Sequence, residues 1–170
     1  MRMSKYKLQK KVNGQTPKLL LPLSLGVSSS TLLHIINTDI ERQLSKSFVN
    51  LGYELNILVV DPSIFTPDAK YDRAYKAAAK AYPKFTFTRL PLHSIFEYVS
   101  DMKEVIHEYA GPKYIDDESR SNEDRLAAFR ATISTATSKA DIDTVLLTRL
   151  VVGYAKSLGC ETVVWGDSDT

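Results

Sequence analysis

Leu19-Leu20-Leu21-Pro22-Leu23-Ser24-Leu25-Gly26-Val27-Ser28-Ser29-Ser30-Thr31-Leu32-Leu33 joins an apolar run to a loop of small, hydroxyl-bearing residues and then to an amphipathic segment. Beyond the loop, Leu32, Leu33, Ile35, Ile36, Ile40 and Leu44 recur at helical spacing. The stretch therefore reads as strand, loop, helix. A helix N-terminus presents unpaired backbone N–H groups and the positive end of its dipole, so such a loop suits an anion. Ser28, Ser29 or Ser30 is expected to cap the helix, and each could also donate to a phosphate oxygen. Spacing alone serves a capped helix after a buried strand equally well.

The flanking pattern extends this unit into an α/β domain. Lys18–Ser24 is apolar at nearly every position, as in a strand buried on both faces. The first helix is expected from about Ser29 to Leu51, with Gly52 as its stop. Glu54–Val60 is a second buried strand, ending at Asp61-Pro62. An acid at that position faces the ligand crevice of a doubly wound fold, although Asp-Pro is also an ordinary turn, the simpler reading. Tyr71–Tyr82 is an Ala-rich helix stopped by Pro83. Phe85–Leu90 alternates with period two, which suits a strand at the sheet edge. A helical excursion over about residues 93–137 follows, with an acidic surface loop at Tyr114–Asp124 and a helix at Arg125–Thr137. Ser138-x-x-Asp141 has capping-box spacing and opens an apolar helix from Ile142 to Leu158. Thr162–Trp165 is the last strand. The expected fold is a doubly wound parallel sheet with helices on both faces and strand order 3-2-1-4. That order sets the first loop beside Trp165-Gly166-Asp167 at the switch point where ligands bind.

A chain of 170 residues that is 44% hydrophobic suffices for one well-buried domain. Residues 1–17 read as a basic arm and 18–170 as the domain. No uncharged apolar run has the length of a membrane span, so no membrane partner is expected. No secretory signal follows the basic start. Cys160 is the only cysteine, which excludes disulfide frameworks and Cys-based zinc sites within the chain and fits a reducing compartment. Arg2, Lys5, Lys7, Lys10, Lys11 and Lys18 precede the first acid, Asp39, leaving 16 basic against 20 acidic side chains in the remainder. A basic arm on a slightly acidic body suits a polyanion such as tRNA, or is a solvated terminus.

Ser24-Leu25-Gly26-Val27-Ser28-Ser29-Ser30-Thr31-Leu32-Leu33 resembles the PP-loop of the ATP pyrophosphatases, Ser-Gly-Gly-x-Asp-Ser-x-x-Leu. Ser24, Gly26, Ser29 and Leu32 agree, Leu25 replaces the first glycine, and Ser28 replaces the aspartate. Within that superfamily the Pro-Leu-Ser-Leu-Gly-Val-Ser-Ser form resembles the second-subunit family of tRNA 2-thiolation complexes. Val163-Val164-Trp165-Gly166-Asp167-Ser168 and Leu146-x-x-Arg149-Leu150 resemble the same family. The resemblance covers most of residues 18–170 and implies an adenine nucleotide alpha hydrolase fold, incomplete at the C-terminal end of this chain and without the family's cysteine-rich termini. It implies a cytoplasmic, non-catalytic subunit that scaffolds a catalytic first subunit and tRNA while sulfur passes from a ubiquitin-like carrier to the wobble uridine. The alternative is an ATP-binding, tRNA-adenylating sulfurtransferase active in its own right.

The resemblance assigns a degenerate nucleotide site to Ser24, Gly26, Val27, Ser28, Ser29, Ser30, Gly166 and Asp167, and the charge of the arm makes Arg2, Lys5, Lys7, Lys10 and Lys11 the expected weak tRNA contacts. Ser28 lacks the carboxylate that helps hold magnesium, and Leu25 adds a side chain where backbone must approach phosphate. ATP and Mg²⁺ are therefore expected to bind weakly, with no cofactor held firmly. Cys160 sits between Gly159 and a buried strand, a core environment rather than a sulfur carrier's. His34, His93 and His107 do not cluster, so neither a metal site nor a catalytic residue is expected. Trp165 reads as packing at a strand end rather than as a base-stacking platform.

Overall fold

The computed structural model describes residues 16–45, 52–61, 69–111 and 114–166. Four strands, β1 (Lys18–Pro22), β2 (Glu54–Asp61), β3 (Thr86–Pro91) and β4 (Thr162–Val163), form one parallel sheet in the order β3-β2-β1-β4. This is the expected order, with the first loop's strand in the interior. β1 pairs with β2 from Lys18 opposite Glu54 to Pro22 opposite Leu58, and with β4 at Leu19–Thr162 and Leu20–Val163. The Val164 N–H donates to the Leu20 carbonyl at 2.8 Å and carries that pairing one residue further. Regular pairing stops there, so β4 is shorter than the expected Thr162–Trp165.

The alternation of side chains along β1 explains why nearly every residue is apolar. Leu19, Leu21 and Leu23 enter a core with Leu33 and Ile40 of α1 (Val27–Leu44), while Leu20 enters the opposite core with Val151 and Ala155 of α6 (Ala136–Ser157). Tyr71, Tyr75 and Ala78 of α2 (Ala69–Ala81) pack on the α1 side. β3 lies at the edge with unlike faces, as its period-two pattern predicts: Phe87 joins the α1 core and Leu90 the α6 core.

The excursion contains a 3₁₀ turn at Leu92–Ser94, then α3 (Ile95–Tyr98), α4 (Met102–Ala110) and α5 (Asn122–Ala131). With α6 these helices bury their own core around Leu126, Phe129, Leu146 and Leu150. The acidic loop before α5 is not wholly solvated. Asp116 accepts from the Arg125 guanidinium, which itself lies 4.0 Å from the centre of the Phe96 ring.

Helix boundaries differ from expectation at three caps. α1 begins at Val27 behind Gly26, whose extended backbone serves as N-cap without any side-chain bond; none of Ser28, Ser29 and Ser30 caps it. It ends at Leu44, so Gly52 is not its stop. α5 starts at Asn122 because the Ser121 hydroxyl accepts from the Asp124 N–H at 3.1 Å, and it ends at Ala131 rather than Thr137. α6 starts at Ala136 because Thr135 caps it: the Thr135 hydroxyl accepts from the Ser138 N–H at 3.0 Å. Ser138 is therefore the third residue of the helix, and the capping spacing lies three residues earlier than Ser138-x-x-Asp141.

Candidate functional site

At the carboxyl ends of β1 and β2 a cavity of about 260 Å³ opens between the first loop and α6. Its polar rim is Ser24, Ser29 and Gly166; its walls are Pro22, Leu23, Leu58 and Val60 of the sheet side, Leu147 and Val151 of α6, and the rings of Tyr71 and Trp165. The location is where ligands bind in doubly wound sheets, beside the strand whose neighbours connect in opposite directions.

The loop itself is closed upon its own hydroxyls. Ser24 Oγ and Ser29 Oγ lie 2.9 Å apart. The Ser29 hydroxyl also reaches the Gly26 carbonyl at 3.3 Å, and the Gly26 N–H donates to Ser24 Oγ at 3.4 Å. Ser29 is only 2% exposed, whereas Val27 at the first helical position is 85% exposed. Ser28 is half-buried, and Ser30, on the surface, donates its backbone N–H to the Gly26 carbonyl at 3.0 Å. Gly166 sits so close to the start of α1 that an added Cβ would lie 2.5 Å from Ser29 Cα. The structure thus brings Ser24, Gly26, Ser29 and Gly166 together. Asp167 and the arm residues Arg2, Lys5, Lys7, Lys10 and Lys11 lie outside the described residues.

Leu25 adopts φ +62° in the left-handed region, where the PP-loop pattern has glycine. Such a backbone costs an L-residue about 1–2 kcal/mol. The Leu25 side chain packs against the α1-side core, and that contact offsets part of the cost.

Beside the cavity, charges neutralise one another. Arg89 of β3 donates from Nε to Asp61 Oδ2 at 2.9 Å and from Nη1 to Asp72 Oδ1 at 2.8 Å. Its guanidinium lies 5.8 Å from the centre of the Tyr71 ring and 5.4 Å from that of Tyr75. The Tyr71 hydroxyl donates to the Val60 carbonyl at 2.7 Å, and burial together with the nearby Asp61 charge pushes it up to about 12. Tyr71 is thereby fixed as a neutral, oriented ring, and Asp61 serves an ion pair across the strand ends. Among the described residues lining the cavity there is no carboxylate for a divalent cation and no lysine or arginine for phosphate charge. This lining fits the apolar face of a base far better than a magnesium triphosphate.

Nothing else among the described residues competes as a reactive centre. They contain no group of three or more His, Cys, Asp or Glu side chains placed to hold a metal. Burial pushes the Cys160 thiol above its ordinary value, so it is not an activated thiolate. Trp165 is 37% exposed and lines the cavity, which packing at a strand end alone does not describe. Sequence reasoning missed Tyr71, Leu147 and Val151 as cavity walls and Arg89 as the partner of Asp61. Apolar helix positions and an arginine in a strand look the same in a core and at a site.

Curated relatives align with nearly the whole chain. A protein of Emericella nidulans is 46% identical over 169 residues, 98% of this chain and 52% of its own length. One of Aspergillus fumigatus is 46% identical over 171 residues, and one of Neosartorya fischeri 47% identical over 171 residues. Each is named cytoplasmic tRNA 2-thiolation protein 2. This chain is homologous to cytoplasmic tRNA 2-thiolation protein 2. It spans about half the length of the curated relatives it matches. No protein-family model matches the chain.

Proposed function

We propose that this chain is the nucleotide-fold portion of a cytoplasmic, non-catalytic subunit that supports 2-thiolation of the wobble uridine in tRNA. In this reading it scaffolds a catalytic first subunit and tRNA while that partner uses ATP and sulfur arrives from a ubiquitin-like carrier. The observation that carries it is the state of the loop. Ser24 and Ser29 spend their hydroxyls on each other and on Gly26, Leu25 and Ser28 replace the glycine and aspartate of the PP-loop pattern, and the cavity lining described above is uncharged. Among the described residues the site holds no charged side chain for phosphate or metal, which suits a scaffold better than an enzyme. ATP with Mg²⁺ is accordingly a weak ligand at most, and the basic arm with Lys7, Lys10 and Lys11 is a non-specific tRNA contact that positions the nucleic acid without reading bases.

The test is nucleoside mass spectrometry of tRNA from cells that lack the gene and are complemented with full-length protein. The expected result is loss of 2-thiouridine on deletion, and full recovery with both the parent and a Ser24→Ala/Ser29→Ala variant. Unchanged thiolation after deletion would remove the whole reading. A variant present at parental abundance that fails to restore thiolation would show chemistry at the loop, and the non-catalytic assignment would fall.

A further inference from the structure

The two faces of the sheet differ in charge. Over α1 and residues 71–84, five basic side chains face three acidic ones; over residues 92–111 and 114–158, seven basic face eleven acidic. The positive side is concentrated on α2. Tyr71, Tyr75 and Ala78 pack inward, and Arg73, Lys76 and Lys80 recur on the opposite, exposed face. Residues three and four apart on a helix are surface neighbours, with Cβ atoms about 5–6 Å apart, so the three cations form one ridge roughly 10 Å long. The acid on this ridge is already engaged. Asp72 pairs with Lys76 at 2.7 Å and with Arg89 at 2.8 Å, while Arg73 and Lys80 have no ion pair among the described residues. The ridge begins two residues after Tyr71, which lines the cavity.

We propose that the outward face of α2, through Arg73, Lys76 and Lys80, is a docking ridge for the phosphate backbone of RNA. This deepens the tRNA reading above and rests on it. An arginine and two lysines at successive turns project into solvent, Lys76 paired with Asp72 and Arg73 and Lys80 outside any ion pair among the described residues, and they present charge at the spacing of a strand's phosphates. The opposite layer, with its excess of acids, repels the same strand, so the two faces orient it. Three small residues, Ala74, Ala77 and Ala81, keep the flank of the ridge low enough for a backbone to lie against it. Contacts of this kind position RNA and carry no base preference.

The experiment measures binding of the full-length protein to two unmodified tRNA transcripts of different sequence across a salt series. The variants are Arg73→Gln/Lys80→Gln and, on α6 across the sheet, Lys139→Gln/Lys156→Gln. Each lost phosphate contact lowers the slope of log K against log salt by about 0.7–0.9. The ridge variant is expected to lose roughly 1.4–1.8 units of slope on both transcripts, with its circular dichroism unchanged and the α6 variant behaving as the parent. A ridge variant with the parental slope would overturn the proposal while leaving the thiolation reading to its own cellular test. An equal loss in the α6 variant would overturn it too, by showing that overall charge rather than this face is responsible. A parent that binds neither transcript at low salt would also overturn it.

Discussion

Gly153 in the middle of α6 sets two ordinary effects against each other. In a helix interior, Gly→Ala is normally stabilising by about 0.5–1 kcal/mol, because glycine loses more backbone freedom on folding. Here an alanine Cβ would lie 2.4 Å from the Tyr98 carbonyl oxygen, 3.0 Å from the Tyr98 carbonyl carbon and 3.2 Å from Val99 Cγ2. Two of the three obstacles are backbone atoms at the end of α3, which cannot rotate away. Inserting volume at such a contact costs about 1–3 kcal/mol. The steric term wins, and Gly153→Ala is expected to destabilise by about 1–2 kcal/mol, a fall in Tm of roughly 2–6 °C for a chain of this size. Urea denaturation should show a lower midpoint at unchanged m. The displacement also reaches the site, because Val151 and Leu147 on the same helix form one wall of the cavity. Gly159→Ala is the control. Gly159 has φ +67° with open space around its Cβ, so it pays backbone strain alone. A Gly153→Ala protein that melts higher than the parent would refute the reasoning, since it would mean that α3 and α6 separate at no cost.

Two further outcomes test other parts of the structure. Leu25→Gly with Ser28→Asp restores the PP-loop pattern, and calorimetry with Mg-ATP is expected to show tighter binding than the weak or undetectable binding of the parent; a low-micromolar parental dissociation constant would contradict the assignment of the loop. Asp39, Glu41, Asp72, Asp101 and Asp117 hold their carboxyls below the ordinary value, chiefly through hydrogen bonds from Arg42, Lys84, Lys76, Arg149 and Ser119 respectively. A lowered folded-state value adds stability above the unfolded value near 4, and this stability is lost as pH falls through the folded one; Tm should hold level above about pH 5 and decline below about pH 4, and a Tm constant from pH 6 to pH 3 would show that these pairs add nothing.

How much of this was legible in the sequence follows from what is local and what is not. The continuous apolar character of Leu19–Leu23 and Glu54–Val60 marks strands buried on both faces, and with the helices between them it leads to the parallel order β3-β2-β1-β4. Helix starts were harder to read because several hydroxyls stand in a row. Ser28, Ser29 and Ser30 all look like caps, yet the extended backbone is at Gly26, and among the candidates around residue 138 the one with extended backbone is Thr135. Caps are decided by backbone dihedrals, and the side-chain spelling only permits them. The cavity walls were illegible for a different reason. Tyr71, Leu147 and Val151 come from two helices far apart in sequence and meet at Leu58 and Val60 only once the sheet exists.

Leu25 decides what the loop is for. A leucine at φ +62° carries strain that a glycine would not, so the turn persists against local preference. Ser24, Ser29 and Gly26 already satisfy one another, and the described residues that line the cavity beside them are uncharged. Packing holds the turn. The partly buried Leu25 side chain packs against the core beneath α1, and Gly166 lies against Ser29 with no room for another carbon. Together these contacts fix the start of α1 against the end of β4. The turn is therefore maintained as a joint between the first helix and the fourth strand.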